Sequence, residues 1–129
     1  MTHEDEVLVR NLYQSFSEQD VDTMRKLLDP EVVWHQPGRS VIAGDHRGVD
    51  AVFGFFGKVA EISEGTFTVE LHDVIAGAER TVALHTGRGQ AHGKTLEDHN
   101  VLILRCNAGR VGEVWEYHAD LYAVDAFWG

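Results

Sequence analysis

The chain has 129 residues, enough for a single domain over residues 1–129, and its 21 acidic side chains against 11 lysines and arginines give a formal net charge of −10. This acidic balance argues against a nucleic-acid-binding protein, because phosphate binding needs a basic surface, and against adhesion to an anionic membrane. The single cysteine cannot form an internal disulfide, and no apolar run suits a signal peptide or a membrane span, so we expect a cytoplasmic protein.

Apolar spacing predicts two helices in the first thirty residues. Leu8, Leu12 and Phe16 recur at intervals of four, which predicts an amphipathic helix from about 4 to 17. Asp20 is placed to cap a second, shorter helix, which Pro30 terminates. The residues that we expect this second helix to direct inward are Met24, Leu27 and Leu28.

The next segment predicts a strand, a loop and a third helix. Residues 32–35, Val-Val-Trp-His, have the composition of a strand, which ends at Pro37. Three glycines between residues 38 and 48 predict a long loop. Gly48 opens a helix whose expected inward residues are Val52, Phe53, Phe56 and Val59.

From Thr66 onward the apolar period changes to two, which predicts four strands joined by hairpins. Turns are predicted at Gly77, at residues 92–94 and at residues 107–109, and the last strand is expected to run through Asp120. Helices followed by hairpin strands indicate an α+β fold with about five strands. We expect a strongly curved antiparallel sheet wrapped around three N-terminal helices, forming a cone whose mouth is a ligand site.

The end of the last predicted strand concentrates polar and aromatic side chains. Asp120 is the leading catalytic candidate, because burial in an apolar pocket raises the pKa of a carboxyl group toward neutrality and suits it to acid/base work. His118 shares its strand face and could shuttle a proton. Trp115 and Tyr117 point to the opposite face, and alternation alone does not decide which face lines the cone.

Several segments carry a resemblance to a known family. They are Val-Trp-His-Gln-Pro-Gly at 33–38, Gly-Asp-His-Arg-Gly at 44–48, and the stretches 65–74, 109–117 and 120–128. The chain resembles the SnoaL-like branch of the NTF2-like superfamily, which includes ketosteroid isomerases, limonene-epoxide hydrolase and polyketide cyclases. The resemblance implies an NTF2-like cone with a deep apolar pocket, one or two catalytic carboxylates and a homodimer formed through the sheet.

The same resemblance bears on particular residues. The cyclases place an acid/base aspartate on the last strand, at a position that looks like Asp120. The position matching the catalytic aspartate of the steroid isomerases holds Gln36, which is no base and argues against steroid isomerisation. The comparison also directs Trp34 toward the pocket, with Gln36.

Further residues are predicted to bind substrate. His35 faces the other side of its strand and could line the cavity mouth, and Asn100 could direct an amide donor toward a developing oxyanion. The predicted substrate-binding set is Trp34, His35, Gln36, Phe56, Asn100, Leu102, Trp115 and Tyr117.

Motifs for metal and cofactor binding are lacking in the sequence. The eight histidines form no His-Glu-x-x-His pattern, and the glycines at 87–93 have the wrong spacing for a dinucleotide loop. We therefore expect no metal and no cofactor.

These observations predict an acid/base enzyme that binds a small apolar molecule and acts as a homodimer. Isomerisation, cyclisation or dehydration of an apolar carbonyl or hydroxyl compound would suit a tuned carboxylate or histidine beside a hydrogen-bond donor. One alternative is a non-catalytic ligand-binding or dimerisation module, which an entirely apolar cup would favour. Another is epoxide hydrolysis, for which Asp98, Asn100 and Arg88 could supply the required set.

Overall fold

The computed structural model describes residues 2–129, and of Thr2 only the backbone. The helices of this part are α1 (Thr2–Ser17), α2 (Val21–Leu27), α3 (Val49–Ile62) and α4 (Leu121–Trp128). The strands are β1 (Leu28–Gln36), β2 (Gly44–Arg47), β3 (Thr68–Ala76), β4 (Thr81–Ala91), β5 (Lys94–Asn107) and β6 (Arg110–His118). None of the helices described is long and apolar enough to cross a membrane.

The six strands form one curved, unclosed sheet in the order β2-β1-β6-β5-β4-β3. Neighbouring strands are antiparallel except β1 and β6, which are parallel, so the sheet is mixed. The predicted α+β class with a curved sheet is confirmed. Two details differ from the prediction: one strand pair is parallel, and a fourth helix follows the sheet.

Three local predictions are wrong. Leu28 does not belong to α2 but begins β1, where its backbone is extended (φ −99°, ψ 136°). Pro30 accounts for this early end, because a proline disfavours helical geometry at the residue before it and removes a backbone donor. The segment 38–48 is not one loop, since residues 44–47 pair with the end of β1 as a short edge strand. The last strand stops at His118 instead of running through Asp120, and α4 follows it.

The hairpin between β4 and β5 sets the register on which the polar site depends. His92 (φ 50°) and Gly93 (φ 77°) both have positive φ, as a two-residue hairpin turn of matching twist requires. Ala91 therefore pairs with Lys94, and the pairing continues without a shift to Thr81. A shift by one residue would turn every polar side chain of β5 to the other face of the sheet.

The core lies between the helices and the concave face of the sheet. Helix α1 packs against β3 and β4, α3 packs against β1 and β2, and α4 packs against β5. Fully buried residues of this core include Val9, Val52, Leu104, Val114 and Val124. The core does not fill the cone completely, and the space that remains is the candidate site.

Candidate functional site

A cavity lies between α1, α3 and the concave face of the sheet. Its volume is about 80 Å³, measured over the positions that the centre of a water-sized molecule can take. Most of the lining is aromatic or aliphatic and includes Phe16, Trp34, Phe56, Leu102 and Trp128. Its polar lining residues are Tyr13, Gln36, His85, Asp98, Glu116 and His118.

The polar end of the cavity is built by neighbouring strands. In β5, Asp98 and Asn100 alternate with outward-facing residues, and in β6 Glu116 and His118 do the same. Asn100 pairs with His118 across these two strands. The register thus brings two carboxylates, an amide and an imidazole together on one patch of the concave face.

His118 is bonded through both ring nitrogens. Its Nδ1 lies 2.7 Å from Asp98 Oδ2, and its Nε2 lies 3.0 Å from the Gln36 side chain. The network assigns the Gln36 amide with its carbonyl oxygen toward His118, because its nitrogen then donates to Glu116 Oε1 at 2.7 Å. Each imidazole nitrogen therefore donates a hydrogen bond, which describes a charged ring.

Electrostatics agree with a charged His118. Burial alone would lower the pKa of His118, but the hydrogen bond to Asp98 and the charges of Glu116 and Asp98 outweigh it and raise the pKa. A buried imidazolium between two carboxylates is compensated on both sides. His118 therefore balances the charge of this cluster rather than offering a free base.

Glu116 is enclosed by donors. Trp34 Nε1 donates to its Oε1 at 2.8 Å, and Asn100 Nδ2 donates to its Oε2 at 2.6 Å. Burial raises the pKa of Glu116, opposed by the charge of His118 and by these two hydrogen bonds. Both oxygens of Glu116 are engaged, so this carboxylate is a fixed part of the site.

Two buried oxygens of the same cluster have no partner. Asp98 Oδ1 and Asn100 Oδ1 accept no hydrogen bond from any residue that the structure describes. Asp98 is only 6% exposed, so bulk water does not compensate for the missing partner. Asp98 lines the mostly apolar cavity, so this oxygen keeps hydrogen-bonding capacity for a ligand or an ordered water beside it.

A second polar pair faces the cavity from α1 and β4. The hydroxyl of Tyr13 lies 2.6 Å from Nδ1 of His85, and both side chains are buried. Burial, together with the charge of Glu116, raises the pKa of Tyr13 far above its usual value. Burial lowers the pKa of His85 to about 4, so this ring is neutral at physiological pH.

The structure brings five of the ten predicted site residues to the cavity wall, namely Trp34, Gln36, Phe56, Leu102 and His118. Asn100 lies behind that wall, where it bonds the two carboxylates. This decides which face of the final strand lines the cavity: it is the face that carries His118. Trp115 and Tyr117 point away from it.

His35 also lies on the outer face of the sheet. Its Nδ1 is 2.7 Å from Asp45 Oδ1, and its Nε2 is 2.6 Å from Glu113 Oε2. Its ring stacks on Trp115, with centroids 5.6 Å apart. His35 therefore belongs to an external cluster and not to the cavity mouth.

Asp120 lies outside the cavity as well. It is exposed, and its carboxylate accepts a hydrogen bond from the backbone N–H of Ala123 at 3.1 Å as the N-cap of α4. The expected pairing of Asp120 with His118 on one strand face does not form, because β6 ends at His118. The structure gives Asp120 a structural role, and we do not propose it as the base.

The sequence analysis missed the Tyr13–His85 pair and gave Asp98 only to the epoxide-hydrolase alternative. Strand parity could have placed His85, because it alternates in β4 with Val82 and Leu84. Arg88 does not join Asp98 in the cavity, since its exposed guanidinium bonds Glu70 at 2.8 Å. The set required for the epoxide alternative is therefore not assembled.

Among the residues that the structure describes, one group of side chains could hold a metal ion. Donor atoms of Asp98, Glu116 and His118 all lie within 4.8 Å of one another. Each of these side chains is already bonded within the cluster, and His118 uses both nitrogens. A cation would have to replace at least one of these hydrogen bonds.

Comparison with known proteins gives consistent results. The SnoaL-like domain family matches residues 9–114 of this chain. An uncharacterised protein of Mycobacterium tuberculosis strain H37Rv is 31% identical over 122 residues, covering 94% of this chain and 93% of that protein. The structure of Bal32a, from a soil-derived mobile gene cassette, shares 35% identity with a TM-score of 0.96 and covers 99% of this chain and 98% of its own. An NTF2-like protein from Burkholderia xenovorans LB400, 22% identical with a TM-score of 0.84, covers 100% of this chain and 98% of its own and has the same fold.

Proposed function

The chain belongs to the SnoaL-like domain family, and we propose that it is an acid/base enzyme that isomerises, cyclises or dehydrates a small apolar carbonyl or hydroxyl compound. The observation that carries this proposal is the buried, unpartnered Oδ1 of Asp98, a residue that lines the polar end of a mostly apolar cavity. A carboxylate oxygen in such a place can take a proton from a bound molecule. A cup that only stored an apolar ligand would not need it.

Asp98 is the general base in this proposal, and the neighbouring residues hold it in place. The hydrogen bond from His118 fixes Oδ2 and leaves Oδ1 free to accept a proton. Glu116 cannot serve in the same way, because Trp34 and Asn100 already donate to its oxygens. His118 is a positioning residue, since both of its N–H groups are used within the protein.

The apolar lining supports proton transfer between carbon and oxygen. Exclusion of water strengthens electrostatic interactions inside the cavity and protects a reactive anion from hydrolysis or premature protonation. The Trp34, Phe56 and Trp128 rings offer aromatic surface to a flat or cyclic substrate. Ligands of this kind bind by burial of apolar area, with a few polar groups setting the orientation.

Exchange of acidic C–H protons tests the assignment of Asp98. A panel of small cyclic ketones is incubated with the protein in D₂O, and deuterium incorporation next to the carbonyl is followed by NMR. We expect catalysed exchange with at least one ketone and a loss of about 10²-fold or more in Asp98→Asn, because general-base catalysis contributes that much. The aspartate favoured by the sequence provides the matched control, and Asp120→Asn is expected to exchange like the wild type.

Two results would contradict the proposal. Wild-type exchange rates in a folded Asp98→Asn protein would remove the base from the mechanism. Loss of exchange in Asp120→Asn, with exchange retained in Asp98→Asn, would show that Asp120 and not Asp98 is the general base. Thermal unfolding of both variants shows whether a lost activity reflects a lost fold.

A further inference from the structure

The polar atoms of the cavity can be sorted by whether the protein already uses them. His118 donates through both ring nitrogens, and both oxygens of Glu116 accept hydrogen bonds. The Gln36 amide is engaged by these same two residues. Two polar atoms remain without a partner among the described residues that line the cavity, namely Oδ1 of Asp98 and Nε2 of His85.

Hydrogen-bond satisfaction at the contact with Tyr13 assigns which nitrogen of His85 carries the proton. The Tyr13 hydroxyl has no other acceptor among the described residues, so it donates to Nδ1 at 2.6 Å. An uncharged imidazole that accepts at Nδ1 must carry its hydrogen on Nε2. The tyrosine on α1 thereby gives His85, which lines the cavity, an N–H donor at Nε2.

The free donor and the free acceptor lie on the same face of adjacent strands. In the β4–β5 pairing His85 stands opposite Asn100, and Asp98 is two residues away on that face. Both side chains line the same cavity. A molecule in the cavity can therefore reach Asp98 Oδ1 and His85 Nε2 together.

We propose that the Nε2–H of His85 stabilises an oxyanion in this cavity, and that the substrate is a small apolar carbonyl compound with an acidic C–H bond beside the carbonyl group. The inference rests on the proposed function and narrows it to enolisable carbonyl compounds. The C–H bond breaks, its proton passes to Asp98 Oδ1, and its electron pair forms a carbon–carbon double bond. The carbonyl π electrons move to oxygen, which accepts the hydrogen bond from His85. Return of the proton to the same carbon gives exchange with solvent. Where a second carbon–carbon double bond is conjugated with the enolate, return of the proton to the far carbon moves that double bond and completes an isomerisation, with no oxidant or other co-reactant.

A neutral donor suits this step. The imidazole of His85 gives a hydrogen bond to the developing oxyanion and keeps its own proton, so the enolate is stabilised in place. His118 lacks a free N–H group to do the same. The two histidines of the cavity thus have separate roles: His118 positions Asp98, and His85 donates a hydrogen bond to the oxyanion.

Binding of α-tetralone, a bicyclic ketone that accepts hydrogen bonds but cannot donate them, tests the donor directly. Tetralin, the same bicycle without oxygen, is the matched control ligand. In His85→Leu we expect the affinity for α-tetralone to fall about fivefold or more, as loss of one hydrogen bond implies, while tetralin binding changes by less than about twofold. Infrared spectra should show the carbonyl stretch of bound α-tetralone at lower wavenumber in the wild type than in His85→Leu. His85→Gln, which keeps an N–H donor, should recover both readouts in part.

The outcomes separate this inference from the proposed function. An unchanged carbonyl stretch and unchanged affinity in His85→Leu would overturn the role of His85, while exchange that depends on Asp98 would leave the base assignment standing. Equal weakening of both ligands would show a packing role only and would also overturn it. A wild-type protein that binds neither ligand contradicts both proposals.

Discussion

Asp98 and Asp120 have the same side chain, and their backbone positions give them opposite roles. Asp98 lies within β5, where strand geometry directs its side chain to the concave face. Asp120 lies directly before the first residue of α4, with φ −135° and ψ 89°, and its carboxylate accepts a hydrogen bond from a backbone N–H group of that helix. An aspartate directly before eight mostly apolar residues is typical of a helix N-cap. This interpretation of the sequence would have assigned Asp120 correctly.

Titration of His85 gives a prediction at the same scale. The pKa of His85 is about 4 in the fold, against 6.5 for an ordinary histidine, so between these values the unfolded chain binds more protons. The free energy of unfolding must then fall as the pH drops from about 6.5 toward 4. The full difference amounts to about 3 kcal/mol. We expect urea unfolding to show an acid loss of stability that is smaller in His85→Gln than in the wild type.

Comparison with the variant isolates His85 from other titrating groups. Charged neighbours act on it in both directions, Asp98 raising its pKa and His118 and His72 lowering it, while burial has the largest effect. The contribution of His118 to the pH dependence of stability has the opposite sign. Its pKa is raised in the fold, so it stabilises the protein at low pH, and this stabilisation is lost as the pH rises through the folded pKa. Parallel pH profiles of the wild type and His85→Gln would contradict the buried neutral state.

Residue alternation predicted part of the site and left the rest open. Alternation places Glu116 on the same face as His118, and Asp98 on the same face as Asn100, because successive side chains of a strand point to opposite faces. It could not tell the concave face from the convex one, since Trp115 and Tyr117 are as suited to a pocket as their neighbours. Curvature and helix packing decide this, and both depend on contacts distant in sequence. The Tyr13–His85 contact is of the same kind and joins α1 to β4.

At the scale of elements, α4 shows how a short helix is held in place and why it was missed. Its eight residues are mostly apolar, which obscures the helical period against the preceding strand. Asp125 accepts hydrogen bonds from the backbone N–H groups of Arg39 and Ser40, at 3.0 and 3.2 Å. Gly38 leaves room for this carboxylate, which any side chain there would meet. The helix is thereby held against the loop that follows β1.

This helix also supplies part of the cavity wall. Val124, Phe127 and Trp128 are buried, and Trp128 lines the cavity and packs against Phe67. Lys94 donates to the carbonyl oxygen of Ala126, which fastens the helix to the β4–β5 hairpin. Loosening α4 should therefore disturb ligand binding without touching the polar cluster.

Removing the cap tests the structural role of Asp120. Asp120→Ala deletes the acceptor for the Ala123 N–H group and should lower the free energy of unfolding by about 1 kcal/mol. Asp120→Asn keeps an acceptor and should be nearly neutral. Urea unfolding followed by the fluorescence of the three tryptophans, one of which lies in α4, measures both. Equal stability of the alanine variant and the wild type would contradict the cap.

At the scale of the whole molecule, the convex face of the sheet carries an apolar surface. Its members come from adjacent strands and share the outward parity: Ile75, Val82, Leu84, Val101, Ile103, Trp115 and Tyr117. Tyr117 is 54% exposed and Ile75 is 53% exposed. An apolar surface across several strands marks an interaction site, because monomeric proteins rarely leave one open to water. In β5, Val101 and Ile103 alternate with Leu102 and Leu104, so both faces of this strand are apolar.

We propose that a second copy of the chain covers this face, as the family resemblance implies. Sedimentation at micromolar concentration should then give a dimer and not the 14.4 kDa monomer. Ile103→Glu places a charge in the middle of the face and should shift the protein to monomer, because an unpaired charge is costly to bury. Val21→Glu, an equally large change at an exposed valine of α2, should leave the dimer intact.

Since each copy carries a net charge of −10, their repulsion is least screened at low ionic strength, and the dimer should be weakest there. A wild-type protein that remains monomeric at physiological salt would contradict the homodimer, whereas a dimer that withstands Ile103→Glu would place the interface on another face.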